Sequence, residues 1–301
     1  MRSTSATPHC DTSCRLRVSA STPTRFANGS RSRRNERTVM TKQTYRTGLG
    51  TSNADTITLL GHDLAGELLG KTSFGELAFW LITKRRPTKS ELVMFEAVLT
   101  ALADHGFTPT AIAARLTYTS APDSLQGALA AGLLGGGSRF LGVTEDCAHF
   151  LADTLRSHTS LPSTDAEWDA LAASVMTDRK KQGKFVPGLG HPVHKVQDPR
   201  TPVLFALAKE HGTYGPHLSL FAALGRVAPA VLGKKLPLNG AGVCGAVLAD
   251  LALPMGVLRG VALLARCAGI LGHLVEEQTD PIGIDVYMNV DRNIDYQPPA
   301  R

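Results

Sequence analysis

A succession of helix-start signals separated by short gaps sets the architecture of this chain. Ser73 followed three residues later by Glu76 opens "FGELAFWLITK", which must stop before Pro87, and Thr88 with Glu91 opens "KSELVMFEAVLTALADHG". Thr108 followed by Pro109 reads as an N-cap and a first helical residue. Further helical stretches are expected at about 122–134, ending in the glycines 135–137, and at 142–157, 163–181, 202–210, 217–231, 240–251 and 255–278. Only "DTITLL" (55–60) reads as a strand or hairpin arm. With 301 residues, 43% of them hydrophobic and only 6% aromatic, the chain is expected to be all-α with a sizeable core. Between 159 and 200 the polarity rises and the pattern loosens, which predicts a passage into a second lobe hinged on the first.

The net charge of +6 is concentrated at one end. Residues 1–39 hold eight arginines (Arg2, Arg15, Arg17, Arg25, Arg31, Arg33, Arg34, Arg37) against Asp11 and Glu36, so residues 40–301 sum to zero. The body therefore lacks the basic signature of a nucleic-acid binder. The segment 1–40 is Ser/Thr/Arg-rich without apolar periodicity; it reads as a disordered arm, a transit-like leader, or sequence upstream of a natural start at Met40. Cys10, Cys14, Cys147, Cys244 and Cys267 form no CxxC pair, which fits buried free thiols in a reducing, cytoplasmic setting. The longest apolar run, 252–275, is interrupted by Arg259, Arg266 and His273, so no membrane partner is expected.

The densest chemistry lies in "VPGLGHPVHKVQDPR" (186–200). Pro187, Gly188, Leu189 and Gly190 cannot be mid-helix, and the glycines let main-chain groups approach a flat ring closely. The stretch is neither a Walker loop nor a GxGxxG fingerprint. His191 and His194 are three apart and could share a helix face. A zinc site would need further ligands of plausible spacing, and none is near, so no metal is expected. Lys195 and Arg200 suit phosphate or carboxylate. A polar loop and helix start with a surface histidine accounts for the same residues without chemistry. Asp104-His105 at a helix end is either an acid–base device or a histidine on the helix dipole. Arg266 in "LLARCAGILGHL" is costly unless paired or bound to an anion, and His273 reads as a satisfied core histidine.

In this order and spacing, the stretches resemble the citrate synthase superfamily, closest to citryl-CoA lyases and the citrate-synthase-like module of ATP-citrate lyase. "LLGHDLAGELLGKTSFGELAFWLITKRRPTKSEL" (59–92) resembles the family's opening landmarks, with Gly61 to Leu64, Ser73-Phe74 and Arg86-Pro87-Thr88 in their places. "ADHG" (103–106), "PGLGHPVHKVQDPR" (187–200) and "ARCAGILGHLVEE" (265–277) resemble its Asp-His, Pro-Gly-x-Gly-His and Arg-x-x-Gly motifs. The likeness covers about 50–290. It implies a helical fold with a large lobe (about 41–157 and 255–301) and a smaller one (about 158–254), a homodimer, and acyl-CoA chemistry on an oxo acid. It implies His105 and His191 as catalytic contacts to the oxo-acid unit, and Arg200 and Arg266 as clamps on its carboxylates. It also implies Pro187, Gly188, Leu189 and Gly190 as readers of the CoA adenine, and Lys195 as a phosphate contact. Coenzyme A is then part of the substrate, with no tightly bound cofactor.

Three departures from the family pattern bear on activity. Phe140 in "GGSRFLG" stands where citrate synthases carry a histidine, which favours the lyase branch. Ala241 in "LPLNGAGVCG" stands where the family has its catalytic aspartate, with Asp104 and Asp250 as conceivable substitutes. The late arginine that reaches a partner subunit has no match near Asp285-Val286, and Arg292 is the nearest arginine. The expected function is carbon–carbon cleavage of citryl-CoA or a related 3-hydroxyacyl-CoA. Condensation by a synthase-type acyltransferase, or CoA-ester binding without turnover, are the alternatives.

Overall fold

The computed structural model describes residues 44–300, so the expectations for the basic tail at 1–40, with Cys10 and Cys14, lie outside the described residues. The described chain begins with a small antiparallel sheet in the order β1 (Gly50–Ser52), β2 (Ile57–Leu59), β3 (His62–Asp63), with Gly50 opposite Leu59 and Thr58 opposite Asp63. The sequence predicts only the central strand; its two partners are too short to show alternation. A single π-helical turn, Leu64–Leu68, then leads into the helices.

These are α1 (Phe74–Thr83), α2 (Lys89–Ala103), α3 (Pro109–Ser120), α4 (Leu125–Leu134), α5 (Val143–Arg156), α6 (Asp165–Lys181), α7 (Arg200–Glu210), α8 (Pro216–Leu232), α9 (Gly240–Asp250), α10 (Leu258–Thr279) and α11 (Gly283–Arg292). The fold is all-α with a minor strand component, as expected. Thr88 and Glu91 form the full reciprocal capping box, and Thr108 caps α3 with Pro109 in its first turn. At Ser73 only half the box forms: its hydroxyl accepts from the Glu76 N–H at 3.1 Å, while the Glu76 carboxylate turns to Arg86 at 3.3 Å.

α4 and α10 begin three residues later than expected, at Leu125 and Leu258, and the starts of α7 and α11 are set by carboxylates outside their N-cap residues, which the local pattern does not announce. α7 begins at Arg200 rather than Pro202 because the Asp198 carboxylate accepts the Arg200 N–H at 3.1 Å. α11, which the sequence reading misses, begins where the Glu277 carboxylate on α10 accepts the N–H groups of Ile282 (3.1 Å) and Gly283 (2.8 Å).

The described residues from 47 onward form one compact unit. Its main core is centred on α9, whose small residues from Gly242 to Ala249 are buried between α5 and α8. Phe79, Phe95 and Phe221 are fully buried there, each contributing about 1.5–3 kcal/mol by removal from water. A smaller cluster of Ala114, Ala128, Ile270 and Leu274 joins α3, α4 and α10. By length and composition α10 would pass for a membrane span. Here it packs on α2, α3 and α4 and buries Arg266, His273 and Glu277. Glu277 is paired with the buried Arg115 of α3.

Candidate active site

A cavity of about 920 Å³ opens between the end of α2, the 138–146 segment, the end of α6, the loop before α7 and the start of α9. It is lined by His105, Pro187, Gly188, Leu189, Gly190, His191, Arg200 and Arg266, eight of the nine residues the sequence singles out. The ninth, Lys195, is exposed and does not line it; its ammonium donates to the His191 carbonyl at 3.1 Å.

The end of α2 gathers the inner wall. Its last carbonyls accept from both arginines: Ala101 from Arg200 at 3.1 Å and Leu102 from the Arg266 Nε at 3.2 Å. Helix C-terminal carbonyls carry partial negative charge, so cations are favoured there. The two guanidinia nevertheless differ. Arg200 is held in a fork by Asp198, Nε to Oδ1 at 3.0 Å and Nη2 to Oδ2 at 2.8 Å. Asp198 is fully buried and also accepts the Gly240 N–H at 2.7 Å. Burial opposes ionisation of Asp198, but these bonds hold its carboxyl well below the usual carboxylate range. A Cβ on Gly240 would sit 2.2 Å from the Arg200 Nε, so only glycine lets this fork lie against α9. Among the described residues Arg266 has no hydrogen-bonded carboxylate partner, only Leu102 O and the Thr108 hydroxyl at 3.4 Å. Burial pushes its pKa down, partly offset by Asp104. Of the two alternatives for Arg266, the structural ion pair does not form among the described residues.

His191 and His194 do not share a helix face; the segment is a bent loop. Their rings still pack 4.4 Å apart, and His105 from the end of α2 joins them at 5.4 Å and 5.6 Å. The fold thus supplies the third imidazole that local spacing could not reveal, and the three ligand atoms lie within 4.8 Å of one another. These residues are the ones that could gather round a metal ion. The tautomer of His191 weighs against it. Its Nδ1 accepts the N–H groups of Val193 (3.1 Å) and His194 (3.0 Å), which puts its proton on Nε2. In this loop conformation Nε2 is a hydrogen-bond donor rather than a ligand. Burial, then the neighbouring His194, push the His191 pKa below its ordinary value, so the ring is neutral at pH 7.

The glycine loop is stitched to the chain before α9. Gly190 N–H donates to Pro237 O at 2.7 Å, Asn239 N–H to Gly188 O at 2.8 Å, and Asn239 Nδ2 to Gly190 O at 2.8 Å. The Gly188 N–H and the Pro187 and Leu189 carbonyls take no partner among the described residues, and these are the main-chain groups left to meet a ligand. Asn239 also caps α9, whose first turn presents Ala241 to the cavity. A methyl group stands there, with no proton to transfer. Asp104 is engaged with His273 Nε2 (3.0 Å) and the Gly106 N–H, and Asp250 accepts the N–H groups of Gly215, His217 and Leu218. Neither lines the cavity, where Asp146 is the lining carboxylate among the described residues. His273 is only half satisfied, since its Nδ1 is buried without a hydrogen-bond partner.

The sequence reading misses three cavity cations. Arg139, Arg179 and Lys184 line the side formed by 138–146 and 179–186. Arg179 is tied to Phe185 O at 2.7 Å and lies over the Phe150 ring. Arg139 and Lys184 are exposed and have no ion-pair partner among the described residues. Their signal was position: one adjoins Phe140, the other lies just before the glycine loop.

The profile of the family described as citrate synthase, C-terminal domain, matches residues 12–284. The ATP-citrate synthase beta chain protein 1 of Oryza sativa subsp. japonica is 26% identical over 220 residues, 68% of this chain and 34% of that protein. The chain therefore spans about a third of the length of that relative. Among solved structures, the citryl-CoA lyase from Hydrogenobacter thermophilus matches with a TM-score of 0.75 and 27% identity, covering 86% of this chain and 97% of that one. The ATP citrate lyase from Methanothrix soehngenii, in complex with citrate and coenzyme A, matches with a TM-score of 0.72 over 86% of this chain and 42% of its own. At 22% identity that likeness shows the fold alone.

Proposed function

Since the chain belongs to the citrate synthase family, we propose that its cavity cleaves a carbon–carbon bond in citryl-CoA or a related 3-hydroxyacyl-CoA, giving acetyl-CoA and an oxo acid. The observation that carries this reading is the convergence of His105, His191, Arg200 and Arg266 on one cavity that the glycine loop also lines. The likeness in length and fold to a citryl-CoA lyase supports it.

In this reading the oxo-acid unit lies between the two arginines and the histidines. The neutral His191 donates its Nε2 proton as a hydrogen bond to the C3 oxygen, stabilising charge as it develops. His105 takes the hydroxyl proton. The C3–oxygen bond becomes a carbonyl, the C2–C3 bond breaks, and its electron pair forms the thioester enolate. The His105 imidazolium then returns the same proton to the enolate carbon, so one histidine does the work of the family aspartate that Ala241 lacks. The CoA adenine meets the free main-chain groups of Pro187 to Leu189, and its phosphates meet Arg139 and Lys184 at the mouth, with Lys195 as an outlying contact. Closure of the 158–254 lobe, a homodimer, and a cytoplasmic setting belong to the same proposal. The exposed apolar side chains Ile284, Tyr287, Val290 and Ile294 on and after α11 support the dimer. The unpaired Cys147, Cys244 and Cys267 support the reducing compartment.

Ala241 favours a second reading, a CoA-ester binder without turnover. Offering (3S)-citryl-CoA and following oxaloacetate with a coupled dehydrogenase separates them. Release that disappears in His191→Ala supports the lyase. Efficient condensation of acetyl-CoA with oxaloacetate points to the synthase direction, and saturable binding without turnover to the inactive relative.

A further inference from the structure

We infer that the oxo acid handled here carries a single carboxylate: the substrate class is a 3-hydroxyacyl-CoA with one carboxylate on C3, and the product beside acetyl-CoA is a 2-oxo monocarboxylate. This rests on the acyl-CoA reading above and narrows it.

A buried wall demands that charges be matched. An ion taken out of water must meet an opposite charge there or bear a large desolvation penalty. The inner wall carries two guanidinia, Arg200 and Arg266. Arg200 is already neutralised by its two-bond fork with the fully buried Asp198, and a third donor is committed to Ala101 O. It has N–H groups left for an oxygen but no net charge to offer. Arg266 is 4% exposed and has no carboxylate hydrogen-bonded to it among the described residues, only the more distant charge of Asp104, so it is the least compensated cation of this wall. The residues beside its two acceptors, Leu102, Phe107 and Pro109, are apolar and line the cavity, as does Ala241. A second carboxylate on this wall would therefore meet Arg200, already paired with Asp198, or uncharged side chains such as Thr108, Asn239 and Ala241. The other cavity cations lie on the 138–146 and 179–186 segments, where the proposed CoA phosphates need them, and the Lys195 ammonium is outside. His191, held as a neutral donor, adds no charge.

The step balances without a co-reactant. The C3 hydroxyl loses its proton to His105, C3–O becomes C=O, the C2–C3 pair moves to C2, and the enolate regains that proton. Nothing in it requires a second carboxylate on the electrophile.

The test is calorimetric titration of the full chain with 2-oxobutyrate and with oxaloacetate, which share a four-carbon skeleton and differ in one terminal charge. The inference expects 2-oxobutyrate to bind at least about tenfold more tightly, because the dicarboxylate leaves one buried charge unmatched. The 4-methyl ester of oxaloacetate should regain the lost affinity in the unaltered protein. Asp198→Asn, which frees the Arg200 charge, should shift the preference towards oxaloacetate, and Arg266→Gln should abolish binding of both acids. Oxaloacetate binding as tightly as 2-oxobutyrate, or neither acid binding, overturns the inference, including by a cation lent from a second copy. A parallel titration with coenzyme A separates the two levels. If CoA binds and the dicarboxylate is preferred, the lyase reading stands and this inference falls; if CoA does not bind, the lyase reading itself falls.

Discussion

Gly188 ties the packing of the core to the shape of the site, and replacing it by alanine tests both. Its φ is +86°, a conformation in which an L side chain costs about 1–2 kcal/mol. An added Cβ would also sit 2.5 Å from Phe221 Cε2 and 3.0 Å from Cys147 Sγ, both in fully buried residues that cannot move aside freely. Overpacking of that kind costs about 1–3 kcal/mol. The stiffer unfolded chain returns about 0.4–1 kcal/mol. Gly188→Ala should therefore destabilise by about 2–4 kcal/mol, which for a domain of this size lowers Tm by about 5–15 °C. Gly190 provides the control. Its φ is +83°, but its added Cβ meets nothing nearer than Leu236 at 4.0 Å. Gly190→Ala should bear the backbone strain alone, lowering Tm by less than about 5 °C. Thermal melts by circular dichroism on both variants measure the difference, and combining Gly188→Ala with Phe221→Leu should reveal a coupling of at least about 1 kcal/mol. Equal Tm shifts at the two positions, or additive behaviour of the pair, would refute the reasoning that Phe221 and Cys147 hold the loop in place.

Two more expectations are direct. Glu277→Ala takes away the buried carboxylate of the Arg115 pair, leaving the guanidinium only the largely exposed Glu276 and the Asp280 carbonyl, and removes the acceptor for the first N–H groups of α11, so it should cost about 3 kcal/mol in urea unfolding; Glu276→Ala, whose carboxylate is 65% exposed, should cost little. Acid should destabilise the protein through carboxylates held down in the folded state: Glu91, whose bonds with Arg85 lower it to about 2, and Asp198, held low by Arg200 despite burial. Depressed carboxylates stabilise fully above their unfolded value near 4 and lose that contribution as pH falls through the folded value. Tm should therefore be level from about pH 8 to 5, fall steeply below about pH 4, and fall less steeply in Glu91→Gln. A Tm that rises on acidification contradicts the assignment.

What the sequence reveals and what it conceals follows from the range of the interactions. Helices whose caps are local, α2 at Thr88 and α3 at Thr108, are readable because donor and acceptor lie within one turn. α11 is invisible because its cap is Glu277 on the preceding helix and its apolar side is left exposed. The same division runs through the site. The glycine loop with His191 is conspicuous as a local cluster. The role of Asp198 is not, because it depends on Gly240 arriving from α9, and neither is the histidine trio, because His105 arrives from α2. Lys195 shows the converse: a cation conspicuous in the motif whose side chain folds back onto its own loop. Arg139 and Lys184 carry no pattern of their own, and only the fold places them at the mouth.

Asn239 binds the glycine loop through Gly190 O and Gly188 O while its side-chain oxygen holds the first turn of α9. The two ends of the proposed ligand, adenine and oxo acid, therefore press on one riveted piece of backbone. A rivet of this kind makes the two halves of the substrate cooperative. If occupancy of the loop tightens the α9 turn against Asp198 and Arg200, affinity for the acid rises, and by reciprocity the acid raises affinity for the nucleotide by the same factor. Loosening the rivet at Asn239 would leave each half able to bind alone while uncoupling one from the other.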